Sequence, residues 1–382
     1  MGFISSKLPN VGTTIFTVMS ALANEYQAIN LSQGFPDFEI DSELIELVYQ
    51  AMKDGYNQYA PMPGYMPLRE EIAKKLYYTY RIEVNPDTEI TITSGATEAI
   101  FDAIQAIVKP NDEVIIFDPA YDCYLPAIEL AGGRAVSIPL NPPTFSPDWN
   151  KVKEAVSSKT VAIMINTPHN PTGTTLKAHD IQNLIEIVQE NNLYIISDEV
   201  YEHLIFDNQV HHSVLRYPEL RGRSFAIYSF GKTFHATGWK IGYCVAPPML
   251  TQEFRKVHQF VTFASPAPLQ VAYAAYLKNP EHYLKISDFY QQKRDTFRSL
   301  LQQNTRFEVL PCEGSYFQLV SYQNITEEAD TEFAVRMTKE IGVAAIPVSV
   351  FYQNKQQDKV LRFCFAKKQE TLQKAVERLS KL

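Results

Sequence analysis

Two lysines, Lys232 and Lys240, stand eight positions apart in "SFGKTFHATGWKIGY" (229–243), among small, hydroxyl and aromatic residues. An ordinary lysine faces water, so each needs company before it is read as a reagent. Polar residues that offer such company recur where apolar runs end. In "SGATEA" (94–99), Ser94, Gly95, Ala96 and Thr97 are small residues at a helix start, where backbone N–H groups can meet an anion. A capped helix with Glu98 in its first turn is the plainer reading of the same segment. "NTPHNPTG" (166–173) holds Asn166 and Asn170 as amide donors on a loop stiffened by two prolines, although most such segments are only turns. In "SDEVYEHL", Asp198 closes an apolar run with Tyr201 three residues on. A carboxylate buried there needs a partner, and an N-capping aspartate fits the pattern equally well. Tyr121 in "FDPAYDCY" offers a ring for stacking or a core aromatic, and Ser229 ends the run before Lys232.

Together these groups ask for one ligand with a phosphate, a planar ring and a carbonyl. Pyridoxal 5′-phosphate (PLP) has all three. Its phosphate would take the N–H groups of Ala96 and Thr97, the Ser229 hydroxyl and the Lys240 ammonium. Its ring nitrogen would pair with Asp198, its phenolate would accept from Asn170 and Tyr201, and its aldehyde would condense with Lys232. No metal centre is expected. His211 and His212 are adjacent but lack a third ligand or an H-E-x-x-H pattern, so they read as surface residues.

Such groups must be placed by strands that end together. Apolar runs at 89–93, 113–117, 135–138, 161–165, 194–197, 225–229 and 242–246 alternate with amphipathic stretches at 97–108, 121–131, 178–191 and 250–262, which predicts an α/β class with a mostly parallel seven-stranded sheet. Residues 43–280 form the expected large domain. From 281 a long polar helix to about 302 leads to "RFEVL", "YFQLV", "VAAIP" and "VLRFCF", with helices at 329–341 and 369–381, an α+β pattern that predicts a smaller domain over 281–382. Residues 1–42, punctuated by Pro and Gly, are expected to pack on that smaller domain.

Composition narrows the classes further. The 382 residues are 45% hydrophobic and 20% charged, with a formal net charge of −8, which argues against a nucleic-acid surface. No apolar run reaches the roughly 18 residues that span a bilayer, and the amino terminus lacks the pattern of a signal peptide, so a cytoplasmic protein is expected. Gly2 with Ser6 meets a loose acylation pattern of a kind that chance often supplies. Cys123, Cys244, Cys312 and Cys364 are scattered and read as thiols in a reducing compartment.

The motifs at 229–243, 166–173 and 197–204, with "NLSQGFPDF" (30–38) and "NQYAPMPGYMPLR" (57–69), resemble the class I aminotransferases of fold type I. Within them the chain is most similar to the kynurenine/glutamine transaminase branch and to bacterial methionine aminotransferases, over nearly its whole length. The resemblance implies that Lys232 forms the internal aldimine of PLP, that Asn170, Asp198 and Tyr201 hold the pyridine ring, and that Tyr121 and Val200 cover its faces. Gly95 and Asn166 lie within the motifs that hold the cofactor. It also implies that Arg362 in "VLRFCF" grips the substrate α-carboxylate, helped by the backbone of Gly34 and by Asn170. Tyr59 would reach the phosphate of a neighbouring subunit, which implies a homodimer with shared sites. Many relatives have arginine at the position of Lys240, and lysine is the form seen in the branch named above. Phe16, Tyr59 and Phe263 would surround the substrate side chain, with Ala264 where some relatives carry histidine.

The expected reaction moves the α-amino group of an amino acid to a 2-oxo acid with ping-pong kinetics, Lys232 serving as the base. Methionine is the favoured donor, with glutamine, kynurenine or aromatic amino acids behind it, because the pocket is aromatic and shows no obvious second arginine. The alternatives are a PLP-dependent cysteine-conjugate β-lyase and, more remotely, a non-enzymatic regulator on the same fold.

Overall fold

The computed structural model describes residues 4–382, so Gly2 lies outside the described residues. Helix Ile15–Glu25 leads to strand β1 (Ile29–Asn30). Seven strands then build the main sheet: β2 (Ile90–Thr93), β3 (Glu113–Asp118), β4 (Arg134–Pro139), β5 (Thr160–Asn166), β6 (Tyr194–Asp198), β7 (Ser224–Ser229) and β8 (Gly242–Val245). Their order is β2-β8-β7-β6-β5-β3-β4, and β8 alone runs against its neighbours. The mostly parallel α/β sheet expected from the alternating runs is therefore present.

These strands are apolar throughout because both faces are covered. Val114 and Ile116 of β3 face a layer with Ile100, Ile104 and Phe254 from helices Gly95–Ile107 and Pro248–Val261. Their neighbours Ile115 and Phe117 join the opposite core, with Ile72, Leu76, Ile181 and Tyr273. Alternation along one strand thus feeds two cores.

A second sheet, β12-β13-β10-β9, is antiparallel and built from β9 (Glu308–Val309), β10 (Phe317–Ser321), β12 (Ile346–Pro347) and β13 (Val360–Cys364). Strand β11 (Val343–Ala344) pairs instead with β1 in parallel. The run "VAAIP", read as one strand, is split between two sheets. Met19, Ala23 and Leu31 share the core of this second region with Phe317, Leu361 and Phe363.

Several helices carried no legible signal, among them Ile15–Glu25, Ser42–Lys53, Met66–Tyr80 and Ala267–Tyr276. In Met66–Tyr80 the reason is visible, since Arg69, Glu71 and Lys75 are buried and blur the apolar period. Lys75 donates to the buried Glu202 carboxylate at 2.6 Å, so charge replaces hydrophobicity on that face. The polar helix expected from 281 is two helices, Glu281–Leu284 and Ile286–Asn304. The stretch read as a helix from 121 begins at Tyr124, leaving Tyr121 in the turn before Tyr124–Leu130.

Candidate active site

Ligands of an open α/β sheet sit beyond the carboxyl ends of its strands. Here Asn166 ends β5, Asp198 ends β6 and Ser229 ends β7, with Asn166 paired to Asp198 and Ser229 to Gly242 in the ladder. All three line one cavity with Gly95, Ala96, Thr97, Tyr121, Asn170, Val200, Tyr201, Lys232 and Lys240.

At one end of the cavity the chain turns from β2 into helix Gly95–Ile107. Ser94 occupies the cap position, yet its side chain makes no capping bond. Its backbone N–H donates to the Glu98 carboxylate instead. Gly95 has a φ of +77°, which favours glycine, and a Cβ there would lie 3.4 Å from Lys240 Nζ. Gly242 has no room for a side chain at all: a Cβ would come within 2.9 Å of the Gly95 carbonyl carbon and 3.0 Å of Ala96 N. The start of β8 is thereby pressed against the turn, with the Lys240 side chain beside Gly95. That is an anion cradle with an exposed cation at its rim.

At the other end sits a buried carboxylate. Asp198 accepts from Tyr124 Oη at 2.6 Å and from the Val200 N–H at 3.3 Å. Burial pushes its carboxyl up to about 6, against the pull of the Tyr124 hydroxyl. Among the described residues no lysine, arginine or histidine forms an ion pair with it. The residues after β6 form a turn and not a helix, and it brings Tyr201 back into the cavity lining.

Lys232 lies between these ends, half-buried. Its Nζ donates to Tyr316 Oη at 3.0 Å and to the Gly34 carbonyl at 3.4 Å, while the Tyr316 hydroxyl donates to the same carbonyl at 2.5 Å. Burial pushes the ammonium down to about 8, so much of it is a neutral amine in mildly alkaline water.

Arg362, in the middle of β13, is fully buried. Its Nη1 donates to Asn170 Oδ1 at 2.7 Å and its Nη2 to the Ser32 carbonyl at 2.9 Å, while its Nε has no partner. The Phe317 ring lies 3.9 Å from the guanidinium carbon, with Phe16 at 5.3 Å and Phe351 at 5.6 Å. A guanidinium only donates, so Asn170 must turn its oxygen to Arg362 and its NH₂ away from it. The Asn170 N–H in turn donates to Asn166 Oδ1, and Asn166 Nδ2 to the Asp198 carbonyl.

Of the residues singled out in the sequence, Phe16 is brought to Arg362 and Gly34 to Lys232. Tyr59 and Phe263 do not line the cavity; they pack edge to face on each other, 5.5 Å apart, with Tyr59 85% exposed. Tyr124, Tyr316 and Phe317 were missed. Tyr124 stands in a quoted motif beside Tyr121, but only the structure shows which of the two meets Asp198. His211 was read as a surface residue and is buried, its Nε2 2.9 Å from the Glu199 carboxylate. Glu199 is fully buried and takes the imidazole as one of its donors. His212 is partly buried, 2.6 Å from Tyr217 Oη.

A half-buried lysine of lowered basicity, a carboxylate lacking a cation and an anion cradle on one open α/β sheet define the apparatus of PLP-dependent amino-group transfer. The chain belongs to the family Aminotransferase class I and II, which it matches over residues 26–379, and it is an aminotransferase. It is 50% identical to the methionine aminotransferase of Escherichia coli (strain K12), covering 99% of this chain and 98% of that one. A solved structure of a methionine aminotransferase from Escherichia coli superposes with a TM-score of 0.98, again at 50% identity, covering 100% of both chains. The N-succinyldiaminopimelate aminotransferase of Mycobacterium tuberculosis is 36% identical with a TM-score of 0.95, over 99% of this chain and 100% of that one. The kynurenine–oxoglutarate transaminase of Dictyostelium discoideum is 33% identical over 99% of this chain and 96% of that one.

Proposed function

We propose that the chain transfers the amino group of methionine, or of a glutamine, kynurenine or aromatic donor, to a 2-oxo acid, with PLP held in the cavity just described. The observation that carries this reading is the fully buried Arg362 guanidinium with a free Nε, walled by Phe16, Phe317 and Phe351. Buried charge without an anion is costly, and a substrate carboxylate would complete it.

The residues fit the cofactor. The N–H groups of Ala96 and Thr97, Ser229 and Lys240 suit its phosphate, Asp198 its protonated ring nitrogen, Asn170 and Tyr201 its phenolate, and Tyr121 and Val200 its two faces. When bound, the ring supplies an acceptor for the electron pair released at the substrate Cα. Asp198 supports this by keeping a proton on the ring nitrogen, since its own orphaned charge favours a cation there. Lys232 Nζ takes the Cα proton, which its lowered basicity allows near neutral pH. Arg362, Asn170 and the Gly34 backbone fix the carboxylate so that the Cα–H bond faces Lys232.

The aromatic wall supports an uncharged side chain. Among the described residues no arginine lines either the cofactor cavity or the groove of about 610 Å³ beside it, where Asp118, Asp122 and Lys355 are the charged residues. A second carboxylate on the substrate would meet no guanidinium. Residues 43–280 are then the cofactor-binding unit, with 281–382 and the described part of 1–42 forming the unit that bears Arg362. Tyr59 and Phe260, 85% and 89% exposed, are large aromatics left open to water, and they support a homodimer in which Tyr59 reaches the partner's phosphate. Four unpaired cysteines suit a reducing cytoplasm.

The test is a steady-state panel of amino donors with a fixed 2-oxo acid. Methionine should exceed aspartate at least tenfold in kcat/KM. A preference for aspartate overturns the pocket argument, and release of pyruvate and ammonia from cysteine conjugates without an acceptor would reveal the β-lyase.

A further inference from the structure

A second polar cluster lies within the fold, directly behind the phosphate cradle. His258, in helix Pro248–Val261, is wholly buried. Its Nδ1 is 2.5 Å from Glu98 Oε1 and its Nε2 is 3.0 Å from the Met62 carbonyl, residues 160 and 196 positions away in sequence. Asp102, also wholly buried, brings Oδ2 within 3.5 Å of the same Nδ1, and neither of its oxygens has a hydrogen-bond partner. The other oxygen of Glu98 accepts the Ser94 N–H at the head of the cradle.

Among the described residues this is the one group of His, Cys, Asp and Glu close enough to hold a metal. The distances refuse one. Two ligands at about 2.1 Å from a tetrahedral ion stand roughly 3.4 Å apart, whereas 2.5 Å leaves room only for a proton. Proton counting settles the charge. The Met62 carbonyl only accepts, so Nε2 carries a hydrogen, and the short Nδ1–Oε1 contact needs another between the two atoms. Whichever atom holds it, His258 and Glu98 together are neutral. Asp102 is pushed up to about 7 by burial, and His258 up to about 9 by its two carboxylates against the opposing effect of burial.

We propose that His258 is a positioning residue for the cofactor phosphate, neutralising Glu98 beneath the Ser94–Thr97 turn and tying that turn to the loop that carries Tyr59. This rests on the PLP reading above. Glu98 is needed to orient the turn through the Ser94 N–H, but a bare carboxylate in the first turn would repel the dianion that the same turn receives. His258 removes the repulsion without removing the hydrogen bond. Because its other nitrogen holds Met62, three residues from Tyr59, the same ring sets where that tyrosine leaves the surface for the neighbouring subunit.

The experiment compares His258→Asn, Glu98→Gln/His258→Asn and wild-type apoprotein for binding of PLP, pyridoxal and inorganic phosphate, by fluorescence quenching and calorimetry. His258→Asn should bind PLP and phosphate about ten- to a hundredfold more weakly, the size of one uncompensated charge at an effective dielectric of about 20, while pyridoxal, which lacks the phosphate, changes less than about threefold. The double variant, uncharged at both positions, should return PLP and phosphate to within about threefold of wild type. Equal weakening of PLP and pyridoxal, or no weakening, overturns the proposal. A double variant that still binds phosphate poorly overturns it as well, even where the single variant does not fold. Wild-type protein that fails to bind PLP would instead sink the reading of the cavity.

Discussion

Replacing Arg362 by lysine tests whether its buried guanidinium waits for a carboxylate. Lysine keeps the charge but loses the fork: one nitrogen cannot meet Asn170 Oδ1, the Ser32 carbonyl and a substrate oxygen at the three angles that Nη1, Nη2 and Nε now serve. The loss includes one charge-assisted hydrogen bond, about 1.5–3 kcal/mol, and stacking on the Phe317 ring at 3.9 Å, about 1–2 kcal/mol in a desolvated site. A total of about 2.5–5 kcal/mol corresponds to a fall of roughly 10²–10⁴-fold in kcat/KM for methionine. The visible absorbance of the bound cofactor should stay unchanged, because no cofactor contact is assigned to Arg362. The control is 3-(methylthio)propylamine, which is methionine without its carboxylate; its slow reaction, followed through the cofactor spectrum, should be nearly equal in both proteins. A variant within about threefold of wild type on methionine, or an equal fall on both donors, refutes the reasoning.

Other perturbations reach the remaining groups. In the apoprotein, Lys232 should titrate at about 8, so a limiting acylating reagent near that pH should modify it ahead of exposed lysines such as Lys53, as read by peptide mass spectrometry. The same shift has a sign in stability. The folded state binds fewer protons than the unfolded one between about 8 and the ordinary lysine value near 10.5, so the Lys232 contribution makes apoprotein stability rise with pH across that window, and Lys232→Met should abolish the rise. Tyr124→Phe removes a donor from Asp198 and should weaken PLP about tenfold while leaving the fold intact, measured by cofactor titration and thermal melting. Mixing Lys232→Ala with Tyr59→Ala protein should restore part of the lost turnover through mixed dimers, and no recovery would argue against sites shared between subunits.

What could be read from the sequence was whatever lay at the end of a buried strand. Asn166, Asp198 and Ser229 each close a run that both sheet faces cover, so the change from apolar to polar marks them without any tertiary knowledge. What could not be read depended on contacts between distant segments. The orientation of the Asn170 amide is set by Arg362, 192 positions away, and the place of Tyr316 by Gly34, 282 positions away. His211 was misjudged for the same reason, since its burial follows from a charge on the far side of a turn and not from its neighbours. Helix Met66–Tyr80 escaped notice because buried Arg69 and Lys75 break the apolar period that a helix on a core normally shows. Ser94 occupied the expected cap position while its hydroxyl took no part in the cap.

The groups that perform chemistry and those that would choose a side chain stand on differently built ground. Asn166, Asp198 and Arg362 sit on strands locked between packed layers, whereas Phe263 stands on an outer loop and half-buried Phe16 on a helix with much of its surface in water. Substitutions on those outer segments cost little stability, while substitutions at the strand ends disturb a packed core. A lineage carrying this arrangement can therefore explore new amino donors by mutation without first losing the reaction, and the spread of donor names among its relatives is the outcome that such a division of labour permits.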